Sequence, residues 1–232
     1  MGGVVIAAAT IILYTSWLPL LDLREIVVRG GSHIPTEEIE RVAGFKTGEN
    51  LLRLHVGRAR AALGRLAWVK DVSIRRVPLH RVEITLEERR PIAAVPDPVG
   101  GARLLVLGEG GVVVDGATPE LSPSFLARGV PLTGSDPGGR VSDPAILEAL
   151  GGLFQRGLSE KPFESVDFTN RHSVTLRGEK DLVVYLGPLE EIGPRLDALS
   201  ALVREIDAAQ YRSIDLRFGG EAVLVPRKVV NR

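Results

Sequence analysis

Residues 28–95 read VRGGSHIPTEEIERVAGFKTGENLLRLHVGRARAALGRLAWVKDVSIRRVPLHRVEITLEERRPIAAV, and the periods within this stretch decide the fold. The residues that lead into it, 23–28, read as a strand, and Gly30-Gly31 turns the chain. Pro35 suits the first position of a helix, where its missing N–H costs nothing, and Glu37 and Glu38 complement the helix dipole. Ile39, Val42 and Ala43 recur at i, i+3 and i+4 before Gly44 ends the run. A second helix gathers Val56, Ala59, Leu63 and Leu66 on one face. Residues 68–76 are strand-like and residues 78–80 turn. Val82, Ile84 and Leu86 then alternate with Glu83, Thr85 and Glu87, which describes a sheet with one buried and one wet face. The order is β-α-α-β-β. Two helices on one face of a three-stranded sheet make a stable small layer architecture.

Downstream, AAVPDPVGG at 93–101 collects two prolines and two glycines and is expected to separate this unit from a second one. There, residues 104–107 and 112–114 flank Gly108-Glu109-Gly110-Gly111, a hairpin signal. A helix is expected around 144–156, and strands at 165–168, 174–177 and 182–186. The strongest helical pattern carries Leu189, Ile192, Leu196, Leu199, Val203 and Ile206, with Pro194 starting or kinking the helix. Residues 213–218 (SIDLRF), Gly219-Gly220 and residues 221–225 close the chain as a hairpin.

Upstream, residues 2–21 read GGVVIAAATIILYTSWLPLL without one charge. As a helix such a run spans about 30 Å, the thickness of a bilayer's hydrocarbon core. Tyr14 and Trp17 lie toward its end, where amphipathic rings favour the interface, and Pro19 marks the exit. A cleaved signal peptide and a buried soluble helix compete with this reading. Against the first, no basic n-region and no small-x-small site precede Asp22. Against the second, the run exceeds most core helices. An uncleaved anchor with a short or absent cytoplasmic tail is therefore expected. No Lys or Arg precedes the run, so charge does not orient it.

The chain has 232 residues, no cysteine, 29 basic and 29 acidic side chains, and 44% hydrophobic content. Mean hydropathy is +0.13. The length supports one or two folded units. The apolar content excludes disorder, and the absent cysteines exclude disulfides, thiolate metal sites and thiol nucleophiles. Residues 22–95 hold 14 basic and 10 acidic side chains, whereas residues 96–232 hold 15 and 19. A modestly basic unit thus precedes a modestly acidic one, and neither excess points to nucleic acid.

The β-α-α-β-β stretch resembles a POTRA domain, and more narrowly the domain of the FtsQ/DivIB family of bacterial cell-division proteins. The matching pieces are VxG at Val28–Gly30, EEI at Glu37–Ile39, GxNL at Gly48–Leu51, the PWV-like Ala67-Trp68-Val69 and the closing ERxP as Glu88-Arg89-Arg90-Pro91. Pro35 stands where the family often has a Ser or Thr cap. Pro131-Leu132-Thr133-Gly134 resembles the family's LPxLTG step, and SIDLRF its VDLRY hairpin. The resemblance implies an α+β chain in four parts: a transmembrane helix (1–21), a POTRA domain (22–95), a β-rich domain with two helices (96–226) and a C-terminal tail (227–232). It further implies a non-enzymatic, single-pass scaffold of the cytoplasmic membrane, outside the cytoplasm at the division septum. Such a scaffold recruits the small coiled-coil proteins FtsB (or DivIC) and FtsL, links them to septal wall synthesis and meets other divisome membrane proteins through its POTRA domain.

The family's partner edge is the last strand. Carried over, the arginine and aromatic of VDLRY fall on Arg217 and Phe218, with Gly219, Gly220, Ala222 and Val223 leading into the edge. Leu202 and Arg171 match less closely. An edge strand offers unpaired N–H and C=O groups to an added strand, and Val223 and Val225 ahead of Pro226 make a short rail for it. The bland alternative is that Phe218 and Val223 close the core.

Catalysis has little to stand on. His33, His55, His80 and His172 lie far apart without metal-ligand spacing, and the acidic pairs Glu37-Glu38, Glu87-Glu88 and Glu190-Glu191 are adjacent residues. On a strand, neighbours point to opposite faces and share no substrate. No GxSxG elbow and no Lys-Ser/Thr after a glycine loop occurs. No cofactor is expected. Arg75, Arg76, Arg81, Arg89 and Arg90 read either as a basic patch facing lipid or a partner, or as solvated strand-end charges. The rival functions are a secretion or outer-membrane assembly factor, a membrane-anchored cell-wall enzyme and a ligand-binding receptor. The first needs a β-barrel of standard porin size, which residues 96–232 are too few to supply.

Overall fold

A computed structural model describes residues 21–78, 80–99, 102–118, 121, 123–218 and 221–227. The expected membrane span, except Leu21, lies outside the described residues, as do Leu79, Gly219, Gly220 and tail residues 228–232. Among the described residues no helix is long and apolar enough to cross a membrane. The chain divides into two compact units between Arg89 and Arg90.

The first unit runs β1 (Glu25–Arg29), α1 (Thr36–Ala43), α2 (Val56–Leu63), β2 (Val69–Val77), β3 (Arg81–Glu88). Its sheet order is β1-β3-β2, with β1 parallel and β2 antiparallel to β3. Val82, Ile84 and Leu86 are buried as their alternation requires, and they share a core with Leu23, Ile39, Ala59 and Leu63. Two details differ from expectation. Pro35 is the N-cap, one residue ahead of the helix, and its carbonyl accepts the Ile39 N–H at 3.1 Å. Leu66 lies beyond α2, because the helix stops at Gly64 and the Leu66 carbonyl instead accepts the Val69 N–H. Gly44 closes α1 in the left-handed conformation. Gly30 is obligatory after β1: its φ is +76°, and a Cβ there would lie 2.2 Å from the Leu86 carbonyl oxygen.

The second unit begins with β4 (Pro91–Pro96), β5 (Leu104–Gly108), β6 (Val112–Gly116) and β7 (Leu126–Arg128). After α3 (Pro144–Gln155) come β8 (Phe163–Asp167), β9 (Val174–Gly178), β10 (Leu182–Gly187), α4 (Ile192–Glu205), β11 (Tyr211–Asp215) and β12 (Val223–Pro226). The sheet is nine-stranded in the order β12-β11-β10-β9-β8-β7-β4-β5-β6. It has two ends and does not close into a barrel. The linker expected at 93–101 is corrected by β4. Ala93 and Val95 are core residues, and Pro91 and Pro96 sit at the two ends of the strand, where a missing N–H is tolerated. The boundary between the units accordingly falls at 89/90 and not at 95/96.

Helices α3 and α4 bury Ile146, Leu150, Leu153, Ile192, Leu196 and Leu199 in one cluster with Val166, Leu176, Val184 and Ile214 from the sheet. Asp143 caps α3 by accepting the Ala145 N–H at 2.9 Å, and Pro144 opens the helix. The long helical pattern breaks at its start. Residues Leu189–Glu191 form a 3₁₀ turn, and Pro194 sits in the first turn of α4, where its ring causes no clash. The two ends of the sheet differ. Along β6, Val113 donates its N–H to the Gly139 carbonyl and accepts that of Gly138, both at 2.8 Å, so this edge is covered. β12 is the terminal strand at the other end.

Candidate functional site

The closing hairpin is built by alternation. Ile214 and Leu216 are buried, while Ser213, Asp215 and Arg217 leave the other way. β11 ends at Asp215, short of the expected Phe218, because the Asp215 carboxylate turns the chain by accepting the Arg217 N–H at 3.0 Å. The same carboxylate accepts Arg217 Nε at 2.9 Å and Nη2 at 2.5 Å. Hydrogen bonds from Arg217 hold the Asp215 carboxyl below its ordinary value against the opposing effect of burial, and the same bonds raise Arg217 above its own. β10 runs parallel to β11 and pairs Tyr185 with Asp215. The Arg217 guanidinium carbon therefore lies 4.9 Å from the centre of the Tyr185 ring and 5.9 Å from that of Phe218. A cation so placed gains from both ring faces.

Beyond it, Phe218, Val223 and Val225 are 58%, 47% and 44% exposed, which excludes the alternative that Phe218 and Val223 close the core. In β12 the register sets Leu224 against Ile214, on the core side, and places Val223 and Val225 on the outer face opposite Asp215 and Ser213. Pro226 belongs to the strand and faces Tyr211, so the edge runs out of donors there.

Leu202, half-buried on α4, joins Ala222 in a groove of about 670 Å³ between that helix and the hairpin. Leu216, Pro194, Ala198 and Ala201 supply more of its apolar lining, and Glu190, Glu191, Glu205 and Glu221 its acidic rim. Arg171 sits elsewhere, in the turn between β8 and β9. It donates Nη1 to the Asp143 carboxylate and Nη2 to Glu190 Oε1 at 3.4 Å, tying that turn to the start of α3 and to the 3₁₀ turn before α4. Burial pushes Asp143 up, yet the Ile146 and Ala145 amides and Arg171 together hold it low. Arg217, Phe218, Ala222, Val223 and Leu202 thus share one end of the sheet, and Arg171 meets the groove through Glu190. Gly219 and Gly220 lie outside the described residues.

Two contributors are absent from the sequence reading. Asp215 stands two residues from Arg217 within SIDLRF, so strand alternation is signal enough to find it. Tyr185 has no such signal, because its place depends on the β10–β11 pairing. In the first unit, His33 stacks on Trp68 with ring centres 4.1 Å apart and meets Glu88 at 2.9 Å, a contact that pins the entry to α1 onto the end of β3. Among the described residues no group of three His, Asp or Glu is arranged to hold a metal ion.

Comparison with known proteins adds the following. Residues 21–89 match the family model for the POTRA domain, FtsQ-type. The chain is 23% identical over 204 residues to cell division protein FtsQ of Corynebacterium glutamicum, covering 87% of this chain and 88% of the relative. It is 29% identical over 226 residues to cell division protein FtsQ of an Anaeromyxobacter species, covering 94% and 74%. Cell division protein DivIB of Clostridium acetobutylicum is 22% identical over 213 residues, covering 89% and 83%.

Proposed function

Because the chain belongs to the FtsQ/DivIB family of bacterial cell-division proteins, we propose that it is a non-enzymatic scaffold of the divisome that captures a coiled-coil pair of FtsB (or DivIC) and FtsL type through strand addition at β12. The observation that carries this reading is the asymmetry of the nine-stranded sheet. One terminal strand is covered, while β12, though short and closed by Pro226, pairs with β11 alone among the described residues and carries exposed Val223 and Val225 beside exposed Phe218. Natural proteins blunt or cover such edges unless a partner uses them. Backbone pairing along β12 supplies affinity. Selectivity comes from Arg217, held by Asp215 beside Tyr185, from Phe218, and from the groove at Leu202 and Ala222. Gly219 and Gly220 allow close approach of the partner's backbone. Arg171 contributes from the rim by holding Glu190.

With the uncharged run at 2–21 read as a single membrane span, the scaffold sits in the cytoplasmic membrane and its folded units act on the extracytoplasmic side at the septum. Capture of the coiled-coil pair would couple the scaffold to septal wall synthesis, while the POTRA domain meets other membrane proteins of the divisome. The test is affinity purification of the full-length chain from native membranes in mild detergent. Small single-pass coiled-coil proteins should co-purify with the natural chain and be lost, about tenfold or more, with Phe218→Glu at an unchanged melting temperature. Retention of the pair by a folded Phe218→Glu variant would reject the hairpin as the site.

A further inference from the structure

The segment 51–70 contains no Asp or Glu, but four arginines (53, 58, 60 and 65), Lys70 and His55. It begins at the point where the N-terminal run enters the first unit. Leu51 donates its N–H to the Leu21 carbonyl at 2.8 Å, Asp22 bridges to Asn50, and Leu23 exchanges 2.8 Å hydrogen bonds with Gly48 and Glu49. The turn that follows presents a single apolar side chain. Asn50 Oδ1 accepts the Leu52 N–H at 3.0 Å and the Asn50 carbonyl accepts that of Arg53 at 2.9 Å. Leu51 and Leu54 point into the core at 3% and 4% exposure, whereas Leu52 is 51% exposed at the tip. Arg76 of β2 fixes the far side of the turn by donating Nη2 to the Leu54 carbonyl at 2.7 Å.

Helix α2 continues from this turn. With Ala59 and Leu63 buried, a 100° step per residue puts Gly57, Ala61 and Gly64 on its outward face, Arg58 and Arg60 on the two flanks, and Arg65 just past its end. Arg58, Arg60 and Arg65 pair with no carboxylate among the described residues.

We propose that the turn at Leu52 and the arginine-bearing face of α2 dock on the membrane surface, with Leu52 entering the interface and Arg58, Arg60 and Arg65 binding anionic phospholipid headgroups. The inference rests on reading residues 2–21 as a membrane span. Given that span, the backbone pairing of Leu21 with Leu51 keeps Leu52 within about 9 Å of its end, in reach of the headgroup layer, which is about 5–8 Å deep. The charge fits an anionic leaflet, and small residues between long flanking arginines let the helix lie close while the guanidinium groups reach sideways. Each arginine near such a surface multiplies binding about fivefold.

The absence of cysteine makes the test clean. The full chain is reconstituted in lipid nanodiscs with an NBD dye on Ala61→Cys, an exposed position, and reduction by aqueous dithionite is timed. Reduction should slow about threefold or more when phosphatidylglycerol is added to phosphatidylcholine, and high salt should reverse the effect. Arg58→Glu/Arg60→Glu/Arg65→Glu and, separately, Leu52→Glu should abolish it. A dye on Ile11→Cys reports the span itself. Protection at Ile11 with no response to lipid charge at Ala61 would overturn the docking face alone and leave it to an acidic macromolecule. Rapid reduction at Ile11 would overturn the span reading, and the docking face with it.

Discussion

At the scale of single residues, Arg217 is a surface charge whose orientation is fixed by its own neighbours. Its Nε edge and one Nη2 hydrogen are spent on Asp215, and its flat face lies over Tyr185. Under the proposed strand addition, the Nη1 end is the part of the guanidinium left for a carboxylate of the added segment. Lysine retains the charge but has neither the fork that Asp215 grips nor the plane that lies on Tyr185. Arg217→Lys should therefore weaken capture of the coiled-coil pair about tenfold, the cost of one charge-assisted bidentate contact. The melting temperature should fall only slightly, since the side chain is 44% exposed and lysine keeps a positive charge beside Asp215. Titration of labelled FtsB- or DivIC-type segments against the two forms measures this, and equal affinity would mean that charge alone counts.

At the scale of elements, β12 is four residues long and, among the described residues, pairs through only one of its sides. Lysine on exposed edges is a device by which folded proteins refuse added strands. Val225→Lys should accordingly reduce capture about tenfold while changing stability by less than about 0.5 kcal/mol, because Val225 faces solvent. Chemical denaturation and the same titration check both halves. How legible these elements are depends on how local their causes are. The alternation in β3, the stop at Gly44 and the apolar spacing of α4 are written in neighbouring residues, and all can be read from the chain itself. β7 is three residues long and exists because it fits between β4 and β8, parallel to both. Nothing in residues 126–128 announces that. The run at 93–101 misleads for the opposite reason, since Pro96 marks the end of a strand, β4, within a sheet that continues on both sides of it. The candidate site divides in the same way. Arg217 and Phe218 come from the resemblance of SIDLRF to the family's hairpin motif, and local alternation is enough to add Asp215 but would bury Phe218 with Ile214 and Leu216, whereas Tyr185 and the groove at Leu202 come from pairings with distant segments.

At the scale of the whole molecule, the neutral total hides a set of carboxylates held ionised in both units. In the first, burial raises Glu88, but hydrogen bonds from the His33 amide, Ser32 and the His33 ring overcome it and leave the group low. In the second, Asp167 is lowered by hydrogen bonds from Thr169, Asp215 by those from Arg217, and Asp143 by helix-start amides and Arg171. A carboxyl whose folded value lies below its unfolded one, about 3.9 for Asp and 4.3 for Glu, binds fewer protons when folded. Its contribution to stability is complete above the unfolded value and is lost as pH falls through the folded one. Stability of residues 22–232 should hence be level from neutral pH to about 5 and fall steeply below about 4. Asp143→Asn/Asp167→Asn/Asp215→Asn should start lower at neutral pH, because the charge-assisted bonds weaken, yet fall less on acidification, so that the two curves converge in acid. Urea denaturation at successive pH values gives the slopes. Parallel curves for the two forms would show that these carboxylates do not govern the acid limit, and that the repulsion among the 29 basic side chains does.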